Sequence, residues 1–250
     1  MKIRVLGTAS GEPVPHRSAA AYLMESNGFR ILMDAGDGVA QQIVRYHIDP
    51  CLIDMVVISH THPDHAGGLL LLLQRMYISR RSKSLLIYVP GGLLPGFQSI
   101  FPYFNIFIER WPFSFELKPI VNGLFYQGHG IQIEAIKNGH VSHYAPYASQ
   151  HGIRAESFSF VITEKASKKM IYTADIDDLE YLLPAAGDTR FLLSECTHVA
   201  PDDVICFAKD NDIKRIAFTH IPPELETSIH TIKSDNVNIR AVNDGDIIEV

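Results

Sequence analysis

The sequence predicts an α/β protein built as a four-layer αββα sandwich, two mixed sheets face to face with helices outside. Three observations lead there. Several strands are continuously apolar, as in Met55-Val56-Val57-Ile58, and strands covered on both faces read this way. Each half of the chain opens on strands and adds helices afterwards. No Gly/Ser-rich or charged linker separates the halves, so residues 1–250 are expected to form one domain.

Ile3–Leu6 alternates and stops at Gly7, a first strand, and Gly7–Ser18 is rich in Gly, Pro and Ser, a loop. Ala20–Glu25 and Phe29–Met33 flank Ser26-Asn27-Gly28, a hairpin signal. Asp34-Ala35-Gly36-Asp37-Gly38 is a turn. Val39–Tyr46 has helical spacing, with Val39, Ile43 and Tyr46 on one side. The strand Ile53–Ser59 runs into a histidine cluster, and Gly67-Gly68 opens a helix from about Leu69 to Arg80. Leu85–Val89 is a buried strand, and Leu93–Phe104 a short helix.

In the second half, Phe113–Leu117, Ile131–Ile136, Ser157–Thr163, Met170–Thr173, Phe191–Ser194 and Arg215–Phe218 read as strands. Lys137–Glu156 is a long loop and Asp202–Asp210 a helix. Lys165, Lys168 and Lys169 mark the turn after Ser157–Thr163, and Asn238–Val250 reads as a final strand pair.

Composition narrows the class. With 46% hydrophobic and 20% charged residues the chain is globular, and at 250 residues it can bury a sizeable core. A net charge of -6 argues against a protein that grips nucleic acid chiefly by neutralising phosphates. Three cysteines, Cys51, Cys196 and Cys206, give neither a disulfide framework nor a thiolate zinc site. The longest apolar run, Ala66–Leu73, is far short of the roughly 20 residues a membrane span needs. The N-terminus enters a strand with no leader pattern, so a cytoplasmic location without membrane partners is expected.

The chemistry concentrates at His60-Thr61-His62-Pro63-Asp64-His65. His60 and His62, two apart at a strand end, can point the same way. Asp64 and His65 lie in the turn beyond and can meet the same pocket from another side. Imidazole with carboxylate suits zinc, manganese or iron and disfavours calcium or magnesium.

His60-x-His62-x-Asp64-His65 after a buried strand, followed by Gly67-Gly68, resembles the signature of the metallo-β-lactamase superfamily. Leu6-Gly7-Thr8-Ala9-Ser10-Gly11 with Pro13, and the turn Asp34–Gly38, resemble its ribonuclease Z and cyclic phosphodiesterase branch. Tyr172-Thr173-Ala174-Asp175 matches that branch's bridging aspartate, with Ala174 where Gly is usual, and Thr219-His220 matches its last histidine. The resemblance implies that His60, His62 and His140 hold one metal and that Asp64, His65 and His220 hold a second. Asp175 would bridge them, and Asp64 would also serve catalysis. Two divalent ions follow, Zn2+ first and Mn2+ as the alternative. Water held between them, its pKa lowered towards about 7, would be the nucleophile. His143 competes with His140 for the third position. His140, four residues beyond Ile136, is favoured because the branch's histidine sits there.

The branch also implies a histidine as general acid. Ser194-Glu195-Cys196-Thr197-His198 resembles its His-Glu-Ala-Thr segment, which gives His198 that role with Glu195 orienting it. Here Glu and His lie three apart, where ribonuclease Z has an insertion. The long arm of ribonuclease Z is missing between His140 and Asp175. Together with the net charge, this makes tRNA an unexpected partner and a small or cyclic phosphodiester the expected substrate. Ribonuclease Z-like RNA processing and a non-hydrolytic metal-containing sensor module are the alternatives. Arg75, Arg80, Arg81 and Lys83 are expected on a solvated face or against a phosphate. Leu93–Phe107 with Trp111, Phe113 and Phe115 could form core, a lid or a homodimer face.

Overall fold

A computed structural model describes residues 1–164 and 168–250. The first sheet contains β1 (Lys2–Gly7), β2 (Ala21–Ser26), β3 (Phe29–Met33), β4 (Met55–Val57), β5 (Leu85–Val89) and β6 (Phe115–Pro119). The second contains β7 (Gly123–Gly128), β8 (Ile131–Asn138), β9 (Ser157–Glu164), β10 (Lys168–Tyr172), β11 (Thr189–Ser194), β12 (Arg215–Phe218) and β13 (Asn238–Ala241). A last strand, β14 (Ile247–Glu249), returns to the first sheet beside β1, giving the orders β14-β1-β2-β3-β4-β5-β6 and β13-β12-β11-β10-β9-β8-β7. The longer helices are α1 (Val39–Arg45), α3 (Leu69–Ile78) and α6 (Pro201–Asp210), and the one-turn α2 (Pro63–Ala66) precedes α3. Two further short helices are α4 (Ala145–Gln150) and α5 (Leu183–Ala186).

Side-chain alternation sorts the strands into three apolar layers. Val5, Met55, Val57, Phe158, Phe160, Ile162, Phe191 and Leu193 fill the space between the sheets. Leu6, Val56 and Ile58 turn the other way and meet Val39, Ile43, Leu69, Leu72 and Leu73 of α1 and α3. Val161, Ile171 and Leu192 meet Val204, Phe207 and Ala208 of α6. Three cores between four layers are what the uninterrupted apolar strands required. The parallel strands β3–β6 and β10–β13 then send their C-terminal ends out as loops, where an α/β fold places its ligands.

Several expectations change. The tail strands do not pair with each other. β13 joins β12 in parallel, and β14 joins β1 antiparallel, so the tail ties the two sheets together. β7 was not expected, because Gly123 and Gly128 bracket a half-buried edge strand with a weak apolar pattern. The loop 139–156 contains a 3-10 turn, Ser142–Tyr144, and α4. In place of a helix over Leu93–Phe104, one 3-10 segment ends at Leu93 and a second spans Gln98–Phe104, with Pro102 inside it to keep an α-helix from forming. The expected turn at Lys165 lies outside the described residues. Phe113 and Phe101 pack in the core beneath Trp111, while Tyr103, Phe104 and Phe107 stay exposed. None of the helices described is long and apolar enough to cross a membrane.

Arg81 is the main correction among the basic residues. It is 1% exposed, neither solvated nor near a phosphate site. Its Nε donates to Lys83 O at 2.7 Å, Nη1 to Cys51 O at 3.0 Å and Pro50 O at 3.2 Å, and Nη2 to Ser84 O at 2.9 Å. The guanidinium also lies 5.7 Å from the centre of the Phe113 ring. One side chain thus satisfies carbonyls from two loops at the bottom of α3. Replacing it by Met would strand several of them. Arg81→Met is expected to lower unfolding stability by about 3 kcal/mol, read as a fall in urea midpoint at constant slope.

Candidate metal centre

The site is assembled from strand ends. β4 continues through Ile58, whose N–H bonds Tyr88 O, and delivers His60. His62 is the extended residue before α2, and Pro63 fits the first helical position. The single turn of α2 then carries Asp64 and His65 round to the far side. The turn 34–38 is pressed against it: Ala35 N–H bonds His65 O at 2.8 Å, and a Cβ on Gly36 would sit 2.1 Å from Asp64 O. Only glycine allows that approach.

From the second sheet, His140 follows β8, Asp175 follows β10 and His220 follows β12. Asp34, Ala174 and His220 have φ of 58°, 47° and 50°. These left-handed residues turn the chain sharply as strands end. Asn138 ties two of the loops. Its Oδ1 accepts from His140 N at 3.2 Å, and its Nδ2 donates to Asp175 O at 3.0 Å.

Among the described residues, two sets of donor atoms share Asp175, beside a third made of Glu195, His198 and His220. In each of the first two, the atoms lie within 4.8 Å of one another: His60, His62, His140 and Asp175, and Asp64, His65, Asp175 and His220. Asp175 belongs to both. Its Oδ2 is 3.8 Å from His60 Nε2 and 3.6 Å from His140 Nε2, whereas its Oδ1 is 3.0 Å from His65 Nε2 and 3.4 Å from His220 Nε2. Within the first set His62 Nδ1 is 3.0 Å from His60 Nε2 and 3.3 Å from His140 Nε2. Within the second His220 Nε2 is 3.2 Å from His65 Nε2 and 3.1 Å from Asp64 Oδ2.

These spacings test the fit of a metal. Tetrahedral zinc with Zn–N near 2.05 Å holds its ligand nitrogens about 3.3 Å apart. Asp175 Oδ1 is buried and accepts no well-aligned hydrogen bond, an orphan acceptor that a cation would satisfy. Burial pushes His60 well below the usual imidazole range and His140 down to about 4. Their nitrogens are therefore unprotonated near neutrality and free to coordinate. The donor set fits divalent ions.

Around the donors lies a layer of orienting groups. Asp34 is completely buried and lies 2.8 Å from His65 Nδ1. It also accepts from Ser59 N at 2.7 Å, Ser59 Oγ at 2.9 Å and Tyr172 OH at 2.6 Å. Ser59 Oγ contacts His60 Nδ1 at 3.0 Å, and Thr197 Oγ1 contacts His220 Nδ1 at 3.1 Å. Burial pulls His65 down, but the carboxylates of Asp175 and Asp34 outweigh it and hold the ring well above its ordinary pKa. The sequence reading passed over Asp34. The only local signal is the Asp34–Gly38 turn, in which nothing separates Asp34, which is buried, from Asp37, which is exposed.

His198 stands at the edge of this centre, with a third of its side chain exposed. Its Nδ1 is 3.1 Å from Glu195 Oε1 and 3.8 Å from Asp175 Oδ2, and its ring centre is 4.5 Å from that of His140. Glu195 is 1% exposed; its Oε2 accepts from Thr197 N at 2.7 Å and His198 N at 2.9 Å. Burial lowers the His198 pKa, but the Glu195 hydrogen bond and charge reverse the sign and raise it. His143 sits exposed on the 3-10 turn and His151 is exposed; neither joins either donor set. An open cavity of about 300 Å³ lies over the centre, lined by His62, Asp64, Asp175, His198 and His220 together with the 10–12 and 222–224 loops.

Comparison with known proteins agrees with this geometry. The family model described as beta-lactamase superfamily domain matches residues 29–230. A protein of Metallosphaera sedula named Ribonuclease Z is 33% identical over 239 residues, covering 93% of this chain and 72% of that protein. The short form of human tRNase Z superposes with a TM-score of 0.80 at 20% identity, covering 100% of this chain and 99% of the other. A diphosphatase from the PhnP family superposes with a TM-score of 0.73 at 17% identity, covering 100% and 97%. The expectation that set tRNA aside draws no support from these likenesses. A matched span that takes in most of the chain, and the strand ends that carry its histidines, make this protein a hydrolase of the β-lactamase superfamily, in the branch that contains ribonuclease Z.

Proposed function

We propose that the chain is a phosphodiesterase with two divalent ions, Zn2+ first and Mn2+ as the alternative, acting on a small or cyclic phosphodiester. The observation that carries the proposal is the place of His198. A histidine braced by a buried carboxylate stands beside the doubly shared Asp175, at the open edge of the cavity.

In this reading His60, His62, His140 and Asp175 hold one ion, and Asp64, His65, His220 and Asp175 the other. When bound, the ions would lower the pKa of a water and draw charge from a phosphoryl oxygen. The protein's own residues do the rest. Asp34, Ser59 and Thr197 fix the ring planes of His65, His60 and His220. Glu195 engages His198 Nδ1, which leaves Nε2 to carry a proton to the leaving oxygen. The Glu195 hydrogen bond and charge raise the pKa of that ring, which favours its holding the proton.

A second reading, RNA processing, is favoured by the Metallosphaera relative's name. Against it, residues 139–156 between β8 and β9 contain only a 3-10 turn and α4, and not an extended arm. Rates of metal-defined protein on bis(p-nitrophenyl) phosphate, a 2',3'-cyclic nucleotide, a lactone and a pre-tRNA separate the readings. The small diesters should turn over fastest. Preference for pre-tRNA would reverse the assignment, and bound metal without turnover of any substrate would point to a sensor module.

Chelation followed by dialysis should abolish hydrolysis of bis(p-nitrophenyl) phosphate, and added Zn2+ or Mn2+ should restore it. Asp34→Ala is expected to weaken metal affinity by about 10- to 100-fold in a chelator competition, since the ring it orients is then free to turn. His198→Ala should cost about 100-fold on a diester with an alkoxide leaving group. It should cost far less on a p-nitrophenyl ester, whose leaving oxygen needs little protonation. Equal losses on both would remove His198 from the acid role.

A further inference from the structure

The cavity over the metal centre has an unusual charge pattern for a phosphoester site. Its lining is Ser10, Gly11, Glu12, His62, Asp64, Asp175, Thr197, His198, His220, Pro222, Pro223 and Glu224. No lysine or arginine is among them. The two charged side chains outside the metal centre, Glu12 and Glu224, are both negative and exposed. A site for a polyanion would supply cations here, because each further phosphate must be neutralised. This mouth presents two carboxylates instead.

The walls that carry them are braced. Ala9 and Ile221 form a bridge, and Ile221 N–H bonds Thr8 O at 2.8 Å. The buried Arg17 ties both loops, with Nη1 on Thr8 Oγ1 at 2.7 Å and Nε on Glu226 Oε1 at 2.8 Å. The carboxylates therefore stand on fixed loops. A second, independent feature marks the cavity as a ligand site. Ser10 is 5% exposed and lines it, yet its hydroxyl makes no hydrogen bond among the described residues. An uncharged donor left open in this cavity is suited to a phosphoryl oxygen.

We infer, resting on the phosphodiesterase reading, that the mouth selects a singly charged diester with a cationic substituent. One alcohol would carry an ammonium group that meets Glu12 and Glu224, while Ser10 donates to the phosphoryl oxygen. A second phosphate in that place would face the negative charges of Glu12 and Glu224, with no lysine or arginine in the wall to offset them. The same pattern disfavours a polyanionic chain leaving by this mouth.

The test compares three p-nitrophenyl phosphodiesters on Zn2+-loaded protein, with choline, ethanol or 3-hydroxypropanoate as the second alcohol. The choline ester should show a kcat/KM about fivefold above the ethyl ester at low salt, the gain that two exposed ion pairs supply, and the carboxylate ester should fall below both. Raising ionic strength from about 0.02 to 0.5 M should shrink the choline preference, because exposed charges are screened. In E12Q/E224Q the choline-to-ethyl ratio should fall to about one, while in E12D/E224D a preference should remain. A ratio near one in the unmodified protein, or one that survives E12Q/E224Q, overturns the inference while the phosphodiesterase reading stands. A protein that binds Zn2+ and hydrolyses none of the three esters overturns the phosphodiesterase reading itself.

Discussion

The centre depends on one buried anion, the carboxylate of Asp175. At 2% exposure it has left water, and an isolated charge in that position costs several kcal/mol. Everything around it answers that cost. Four imidazoles from both sheets direct Nε2 at its two oxygens, within 3.0 to 3.8 Å. Burial alone would raise its pKa, yet the charges of His220 and His65 hold it well below the usual carboxylate range. An anion with two faces is also the natural spacer for two cations, which repel each other unless negative charge lies between them. Asp34 repeats the device one layer out. It is the carboxylate behind His65, and it fixes from the first sheet a ring that faces an aspartate of the second.

This arrangement explains why the fold must place strand ends where it does. The sheets meet through a core of residues such as Met33, Val57, Phe160 and Leu193, and their relative position fixes the distance between His60 and Asp175. Phe158 N–H bonds Ser59 O at 3.2 Å, a direct link between the sheets beside the first histidine. Tyr172 adds a second link between the sheets through Asp34, while Asn138 ties the Asp175 loop to β8 within the second sheet. Backbone strain is accepted in the same region. Ala174 stands at φ 47° where the branch ordinarily has glycine. The left-handed conformation costs about 1 kcal/mol, and burial of its methyl group between the sheets recovers about 0.8 kcal/mol. The two nearly cancel, so alanine is tolerated at that turn.

Much of this was legible in the sequence, and the reasons differ by element. The strands around Met55–Ile58 and Phe158–Ile162 declared themselves because they are apolar on both faces. The segment His60–His65 declared itself because four potential metal ligands rarely gather within six residues by chance. Distant partners such as His140, Asp175 and His220 were reached by motif order, and periodicity alone would not have joined them. Other features were hidden because they depend on tertiary placement. Arg81 looked like any basic residue after a helix, since nothing local reveals that Pro50, Cys51 and Ser84 turn carbonyls toward it. Asp34 could not be chosen over Asp37 without knowing which one faces His65. The tail strands alternate alike, so the sequence does not reveal that they join different sheets.

The segment from Glu195 to His198 shows how a short spacing can still brace a histidine. Where ribonuclease Z has an insertion, this chain has only two residues between the carboxylate and the histidine. The geometry makes the short spacing workable. Glu195 Oε2 takes the N–H groups of both Thr197 and His198, which closes the chain into a tight turn around the carboxylate. Its other oxygen, Oε1, is then positioned for His198 Nδ1 at 3.1 Å. Inside the same turn Thr197 Oγ1 donates to His220 O at 2.7 Å and contacts His220 Nδ1. One turn therefore orients both the exposed histidine and the last member of the second donor set. The two rings are held 5.9 Å apart, centre to centre, by a single local constraint. A longer loop would let them move independently, whereas here a shift in one must be felt by the other.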